Sequence, residues 1–285
     1  MTEILTQLLN GLVVGMNLAL LAVGLSIIFG MLNVVNFAHG AFYMIGPYVA
    51  VLVVQATGNF WLGLLAGTLF VSLVGMGVEF FGVRPLYGKG EILPLLLTFG
   101  ISMIFTESIL AIFGPLGNVI NKPAIMSGAV DLGFIVYPKY RLFLIVFTIV
   151  LTFILWLFIT KTRLGLLIRA GTQDTTMARA LGVRVKPLFT LVFGIGAALA
   201  AIAGVMSAAI QGIEPYMGMK VLIPAFVVVT VGGLGSFRGA IIAGLIIGEA
   251  KCISILIWPP MSDVIMFVLM ALVLLLKPEG LFKSA

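Results

Sequence analysis

The sequence predicts an all-α polytopic membrane protein, and three observations carry that prediction. Of 285 residues, 62% are hydrophobic and only 9% charged, whereas a soluble domain carries about a quarter charged residues to build its water-facing surface. Mean hydropathy is +1.27. The apolar residues fall into runs of the roughly 20 residues that cross a bilayer as a helix, separated by charges and Pro/Gly punctuation. The positive charge, finally, is concentrated: Thr160 to Pro187 carries Lys161, Arg163, Arg169, Arg179, Arg184 and Lys186 against one acid, Asp174.

Taken in order, the spans run from Thr6 to Met31, Ala38 to Thr57, Trp61 to Val83, Ile92 to Phe113 and Leu142 to Ile159. Beyond the basic loop come Leu188 to Gln211, a short run from Val221 to Val231, then Ile241 to Ile257 and Val264 to Leu276. Lys and Arg resist translocation and are drawn to the inner leaflet, so the 160–187 loop belongs in the cytoplasm. Counting outward, RPLYGKGE and the C-terminal Lys277 and Lys283 fall inside, and the N-terminus and Gly114 to Tyr140 fall outside. The count closes with nine segments. The segments beside NFAHG and GGLGS have the polar, glycine-containing ends of broken or re-entrant helices, which gives eight as the alternative. The whole chain, 1–285, reads as a single transmembrane domain with one cytoplasmic loop, 160–187.

The net charge of +6 and pI near 9.6 come from that loop and the chain ends, so they report membrane topology rather than nucleic-acid binding. One cysteine, Cys252, excludes an internal disulfide and a Cys-based metal cluster, and one histidine excludes a His cluster. The start, MTEILTQLLNG, lacks the basic region of a cleavable signal, so the first span is expected to be retained. Catalytic constellations are missing from the sequence, and so is a phosphate-binding loop, because no Lys-Ser/Thr follows GGLGS. Any active process must then draw on an ion gradient or on another subunit.

Inside the basic loop a short helix is expected. Thr172 or Asp174 can cap it, Met177 to Leu181 favour it, and Gly182 suits the left-handed closing position. About two turns of helix are too short to stand alone in water and need a surface, either lipid headgroups or a partner. Three polar clusters lie at membrane depth, where they must face protein or water. Asn33, Asn36 and His39 crowd the junction of the first two spans, as a gate near the inner face or as helix-end caps bonding one another. Gly232, Gly233, Gly235 and Ser236 form a glycine-dense turn, a pathway element or simply a packed helix break. Thr98, Ser102 and Glu107 sit at helical spacing in the fourth span, and Glu107 is the most deeply placed acid by this count, able to bind an ion or amine or to pair internally. The small residues from Gly194 to Ala209 suit a tight core or a subunit interface. NFAHGAFYMIGPYVA and GSFRGAIIAGLIIGEA resemble each other faintly, at the level chance produces.

NVVNFAHGAFYMIGPYVA, LTFGIS, TRLGLLIRAGTQDTTMARALGV, PYMGMKVLIPAFVVVTVGGLGSFRGAIIAGLIIGEA and the terminal KPEGLF together resemble a LivH-type permease of branched-chain amino acid ABC importers, in order and over nearly the whole chain. The resemblance implies the ABC importer permease fold and alternating access. It implies a related second permease, two cytoplasmic ATPase subunits that bind the ATP and Mg, an extracytoplasmic binding protein, and a bacterial-type inner membrane. No cofactor in this chain and no turnover of its own are expected. The coupling helix then falls on Ala170 to Val183, with Arg169, Ala170, Gly171, Thr172, Asp174, Thr175, Ala178, Arg179, Leu181 and Gly182 meeting the ATPase. Permeases of urea and short-chain amide importers are very similar, although GIEPYMGMK looks more like the amino-acid branch. A gradient-driven transporter or channel working alone is the rival of another class, and it would want a buried carboxylate relay.

Overall fold

The computed structural model describes residues 2–131, 133 and 135–282; Lys283 lies outside the described residues. Its helices are α1 (Thr2–Leu32), α2 (Ala38–Thr57), α3 (Phe60–Gly77), α4 (Ile92–Phe113), α5 (Lys139–Lys161), α6 (Arg163–Gln173), α7 (Thr175–Ala180), α8 (Val185–Gln211), α9 (Met217–Gly232), α10 (Phe237–Ile257) and α11 (Met261–Leu276). Seven of these, with α3 extended to Leu86, are long and apolar enough to span a membrane; α9 and α11 are shorter apolar helices. A small antiparallel hairpin, β1 (Ala129–Asp131) and β2 (Val136–Pro138), interrupts the polar segment between α4 and α5.

The core is built by close backbone approach. On α1, Gly11 and Gly15 lie one turn apart and face Gly244 and Gly248 on α10; a Cβ at Gly15 would stand 2.9 Å from the Gly244 carbonyl. Two such glycine pairs interlocked let van der Waals contact replace the hydrophobic driving force that lipid does not supply. The α8 stripe works the same way on several neighbours. Gly196 faces Gly24 and Ile28 of α1, Ala197 faces Gly75 of α3, Ala201 faces Gly46 of α2, and Gly204 meets the Tyr43 carbonyl. That stripe, open between core and subunit interface in the sequence, is core.

A true break separates the first two spans. Asn33 takes a left-handed φ of +51° and closes α1 through its N–H to the Phe29 carbonyl at 2.8 Å, a conformation Asn tolerates better than most residues. The chain then turns back along the bundle. His39, at the start of α2, reaches the Leu21 carbonyl at 3.0 Å, which at 1.5 Å per residue is about 16 Å up α1 from its end at Leu32. His39 is therefore at mid-depth, not near the inner face where the sequence placed it.

A second irregularity ends α3, where Val78–Val83 form a π turn. In an α-helix residues five apart stand about 140° apart around the axis. The π turn's i to i+5 repeat stacks Glu79 beneath Arg84 instead.

Candidate functional site: a basic hairpin and a cavity at opposite ends of the bundle

The basic loop folds as two helices rather than one. Thr162 caps α6 by accepting from the Gly165 N–H at 3.0 Å. Asp174, extended at φ −153° and ψ 99°, ends α6 and caps α7 by accepting from the Thr176 and Met177 N–H groups at 2.8 and 2.9 Å. Gly182 closes at φ +84°. Asp174 and Gly182 hold the capping roles expected of them. Thr172 does not: its hydroxyl donates to the Arg169 carbonyl at 2.8 Å inside α6. The expected single helix over Ala170 to Val183 is corrected to the last turn of α6, a corner at Asp174 and α7, because one aspartate cannot both continue a helix and cap the next.

The hairpin lies against its own bundle. Gly165, Ile168, Gly171 and Ala178 are buried, and a Cβ on Gly171 would meet the Met31 methyl at the end of α1 at 2.9 Å. The opposite face is open. Arg169, Arg179, Arg184 and Lys186 are exposed around Leu166, Met177 and Leu181, themselves 59, 58 and 78% exposed. Apolar side chains ringed by cations form the kind of surface that marks an interaction site. Thr175 is half-buried and Ala170 partly so.

Directly beside the hairpin is a network that the sequence reading passed over. Glu79, fully buried, accepts from Arg84 at 3.0 and 3.2 Å, from the Tyr87 hydroxyl at 2.7 Å and from Thr190 of α8 at 2.6 Å. Arg84 also donates to the Lys186 carbonyl at 3.3 Å and to Thr190, and lies 4.5 Å over the Phe80 ring. Burial, reinforced by the Glu79 carboxylate, pushes the Tyr87 hydroxyl well above its ordinary value, so it stays a donor. The signal was present: a lone Glu inside an apolar run, five residues before an Arg.

The three polar clusters separate in the fold. Asn36 and His39 are fully buried; Asn33 instead reaches Glu91 at 3.0 Å and ties the end of α1 to the start of α4. Asn36 caps the turn through the Ala38 N–H at 3.0 Å. On α4, Thr98 and Ser102 face inward, and Thr98 accepts from the Phe37 N–H at 3.2 Å. Glu107 lies on the exposed face of that helix, so it does not point into the bundle. The fully buried acid is Glu79, while the inward stripe of α4 runs Thr98, Ser102, Thr106 and misses position 107 by one residue. The glycine turn is a packed break. Gly233 and Gly235 take φ of +100° and +80°, and Ser236 caps α10 by accepting from the Gly239 N–H at 3.1 Å. Leu281 and Phe282 then donate to the Val231 and Gly232 carbonyls at 2.8 and 3.1 Å, so the end of the described chain covers the turn.

At the far end of the bundle is a cavity of about 590 Å³ between α1, α2, α5, α8, α9, α10 and α11, inside the roughly 300–1,000 Å³ range of small-molecule sites. It extends along α1 from Gln7 to Leu18, about 16 Å at the helical rise. Asn10 accepts from Tyr137 at 3.0 Å and from Arg141 at the start of α5, and its amide donates to Gln7 at 3.2 Å. Deeper in, the Tyr43 hydroxyl faces Asn17 and Ser207. Below that level the Gly24, His39 and Gly196 contact closes the bundle. Gln7, Asn10 and Asn17 share a face of α1 by spacing, a polar stripe in an apolar span that could have flagged this wall.

The fold and these features define a multi-pass membrane transport protein: a lipid-embedded helical body, a mid-depth helix break, a solute-sized cavity at one end and an exposed basic hairpin at the other. Sequence comparison gives the particular family. The model of the branched-chain amino acid transport system / permease component family matches residues 7–274, and the chain belongs to that family. It is 34% identical to the high-affinity branched-chain amino acid transport system permease protein BraD of Pseudomonas aeruginosa, covering 97% of this chain and 95% of that protein. It is 33% identical to the corresponding permease protein LivH of Escherichia coli K12, over 97% of this chain and 94% of LivH. A probable branched-chain amino acid transport permease protein LivH of Methanocaldococcus jannaschii is 29% identical over 86% of this chain. No solved structure matches the chain.

Proposed function

We propose that this chain is an inner-membrane permease subunit of an ATP-binding-cassette importer, forming half of the pathway for branched-chain or similar apolar amino acids. The single observation that carries the coupling role is the two-faced hairpin. One side is buried on α1 and α8, and the other holds out Met177 and Leu181 among Arg169, Arg179 and Arg184. Such a lever suits an ATPase groove, since its apolar residues anchor and its cations select an acidic or polar rim. A push on it reaches α1 through Gly171 and Met31, and α8 directly. Turnover then belongs to partners: two ATPase subunits holding ATP and Mg, a second related permease, and an extracytoplasmic binding protein that selects the solute.

Support for this reading over a solitary gradient-driven transporter comes from the acids. Glu79 is locked in an ion pair and Glu107 is exposed. Glu249 lies on α10 against Gly11 of α1, its buried Oε2 without a hydrogen-bond partner, so no two of these three carboxylates share a hydrogen bond or an ion pair. The test is co-expression with the cognate ATPases. With Cys252 replaced by Ser, Thr175→Cys is expected to react only with reagent on the cytosolic side and to cross-link to the ATPase. Labelling from outside, or purification free of nucleotide-binding subunits under mild extraction with uptake intact, refutes the proposal.

A further inference from the structure

Three ion pairs form among the described residues, Arg84 with Glu79, Lys220 with Glu214 and Lys251 with Asp263. Arg141 is in none of them. Its guanidinium stands in the cavity wall against neutral oxygens only, those of Asn10 and Tyr137. The other charged wall residues, Lys220, Glu214 and Lys251, are already paired, so Arg141 leaves the cavity with one uncompensated cation. A guanidinium held in a partly dry wall without an anion is costly, and a planar fork is the side chain best matched to a carboxylate. Around it the wall turns apolar, with Leu18, Met217, Val221 and Ile247.

We propose that this cavity, inside one permease subunit rather than between two, binds a small monocarboxylate with an apolar side chain, its carboxylate on Arg141 and its side chain on the Leu18, Met217 and Ile247 wall. The inference deepens the reading of the chain as an amino-acid permease and rests on it for the physiological solute, while the binding itself stands on the cavity. It locates a resting place for solute about halfway down the bundle from the end remote from the hairpin, above the closure at Gly24 and Gly196.

The chain carries its own reporter, because its one cysteine, Cys252, lines this cavity. The permease complex, in nanodiscs of phosphatidylcholine without binding protein or nucleotide, is treated with a small methanethiosulfonate reagent, and the Cys252 modification rate is followed against added L-leucine or L-leucinamide. L-Leucine is expected to slow modification and L-leucinamide, which lacks the carboxylate, to leave it unchanged. Loss of a hydrogen-bonded charge pair predicts protection about 10- to 100-fold weaker in Arg141→Gln, with Arg141→Lys recovering most of it. Equal protection by both compounds, protection by neither, or a Cys252 that never reacts would each overturn the inference. So would protection that phosphatidylglycerol supplies without leucine, which would assign Arg141 to a lipid headgroup. ATP-driven leucine uptake measured in parallel separates the two proposals. Protection without uptake sinks the importer reading alone, and normal uptake in Arg141→Gln with no protection in the wild type sinks this one alone.

Discussion

Replacing Arg84 with Met is the most informative perturbation of the fold. It keeps an unbranched stem to cover Phe80 while removing the cation from Glu79, which is 0% exposed, whereas Arg84 itself is 21% exposed. Stripping one partner from a buried pair leaves an uncompensated charge and typically costs about 3–5 kcal/mol. Tyr87 and Thr190 still donate to the carboxylate at 2.7 and 2.6 Å, so the low end, about 3 kcal/mol, is expected here. At about 2–4 °C per kcal/mol, that lowers the melting temperature by roughly 6–12 °C, read as loss of the monodisperse peak after heating in detergent. Glu79→Gln should cost clearly less, since the stranded Arg84 can reach water or headgroups at the inner edge. The double variant should recover most of the Arg84→Met loss, because no charge is then buried. Equal losses in the two single variants, or a double variant no better than Arg84→Met, would show that the network is incidental to stability.

Four further outcomes follow from the same geometry. Asp174→Ala removes both N–H acceptors of α7 and should loosen that helix by about 1 kcal/mol, visible as faster amide exchange over 175–181 with exchange in α8 unchanged. Charge reversal at Arg169 or Arg179, both exposed, should abolish coupled uptake and ATPase stimulation while detergent-solubilised yield and melting stay at wild-type values; normal uptake would remove the coupling role. Gly46→Ala places a Cβ 2.9 Å from the Cα and Cβ of Ala201, which backbone cannot relieve, so a sharp loss of folded yield is expected, against little change for Gly100→Ala, where a Cβ meets nothing within 4 Å. Glu107→Gln, on the exposed face of α4, should leave uptake unchanged, and a transport defect there would contradict its placement.

Much of this was legible in the residues, for physical reasons that act locally. Span existence follows from hydropathy over 20 residues, and the boundaries at Ala38–Thr57 and Ile92–Phe113 were read directly. Asp174 and Gly182 announced a cap and a left-handed closure, both of which depend only on neighbours within a few residues. Other features were visible but ambiguous. The small residues of α8 satisfy an interface or a core equally, and only the positions of Gly24, Gly46 and Gly75 on three other helices decide for the core. Glu107 and Glu79 show the limit of counting depth along a chain, since depth says nothing of which side of a helix a residue occupies.

What the sequence determined alone is the solvent: a chain so poor in charge must fold in lipid, with its one cationic segment left in water, because transfer free energy sums residue by residue. What only the tertiary structure decided is which polar groups meet. Arg141 meets Asn10 from a helix far off in the chain, Tyr43 likewise meets Ser207, and a π turn of six residues, Val78–Val83, brings Arg84 onto Glu79. Such juxtapositions are set by helix packing through glycine contacts, whose angles and registers no single segment encodes.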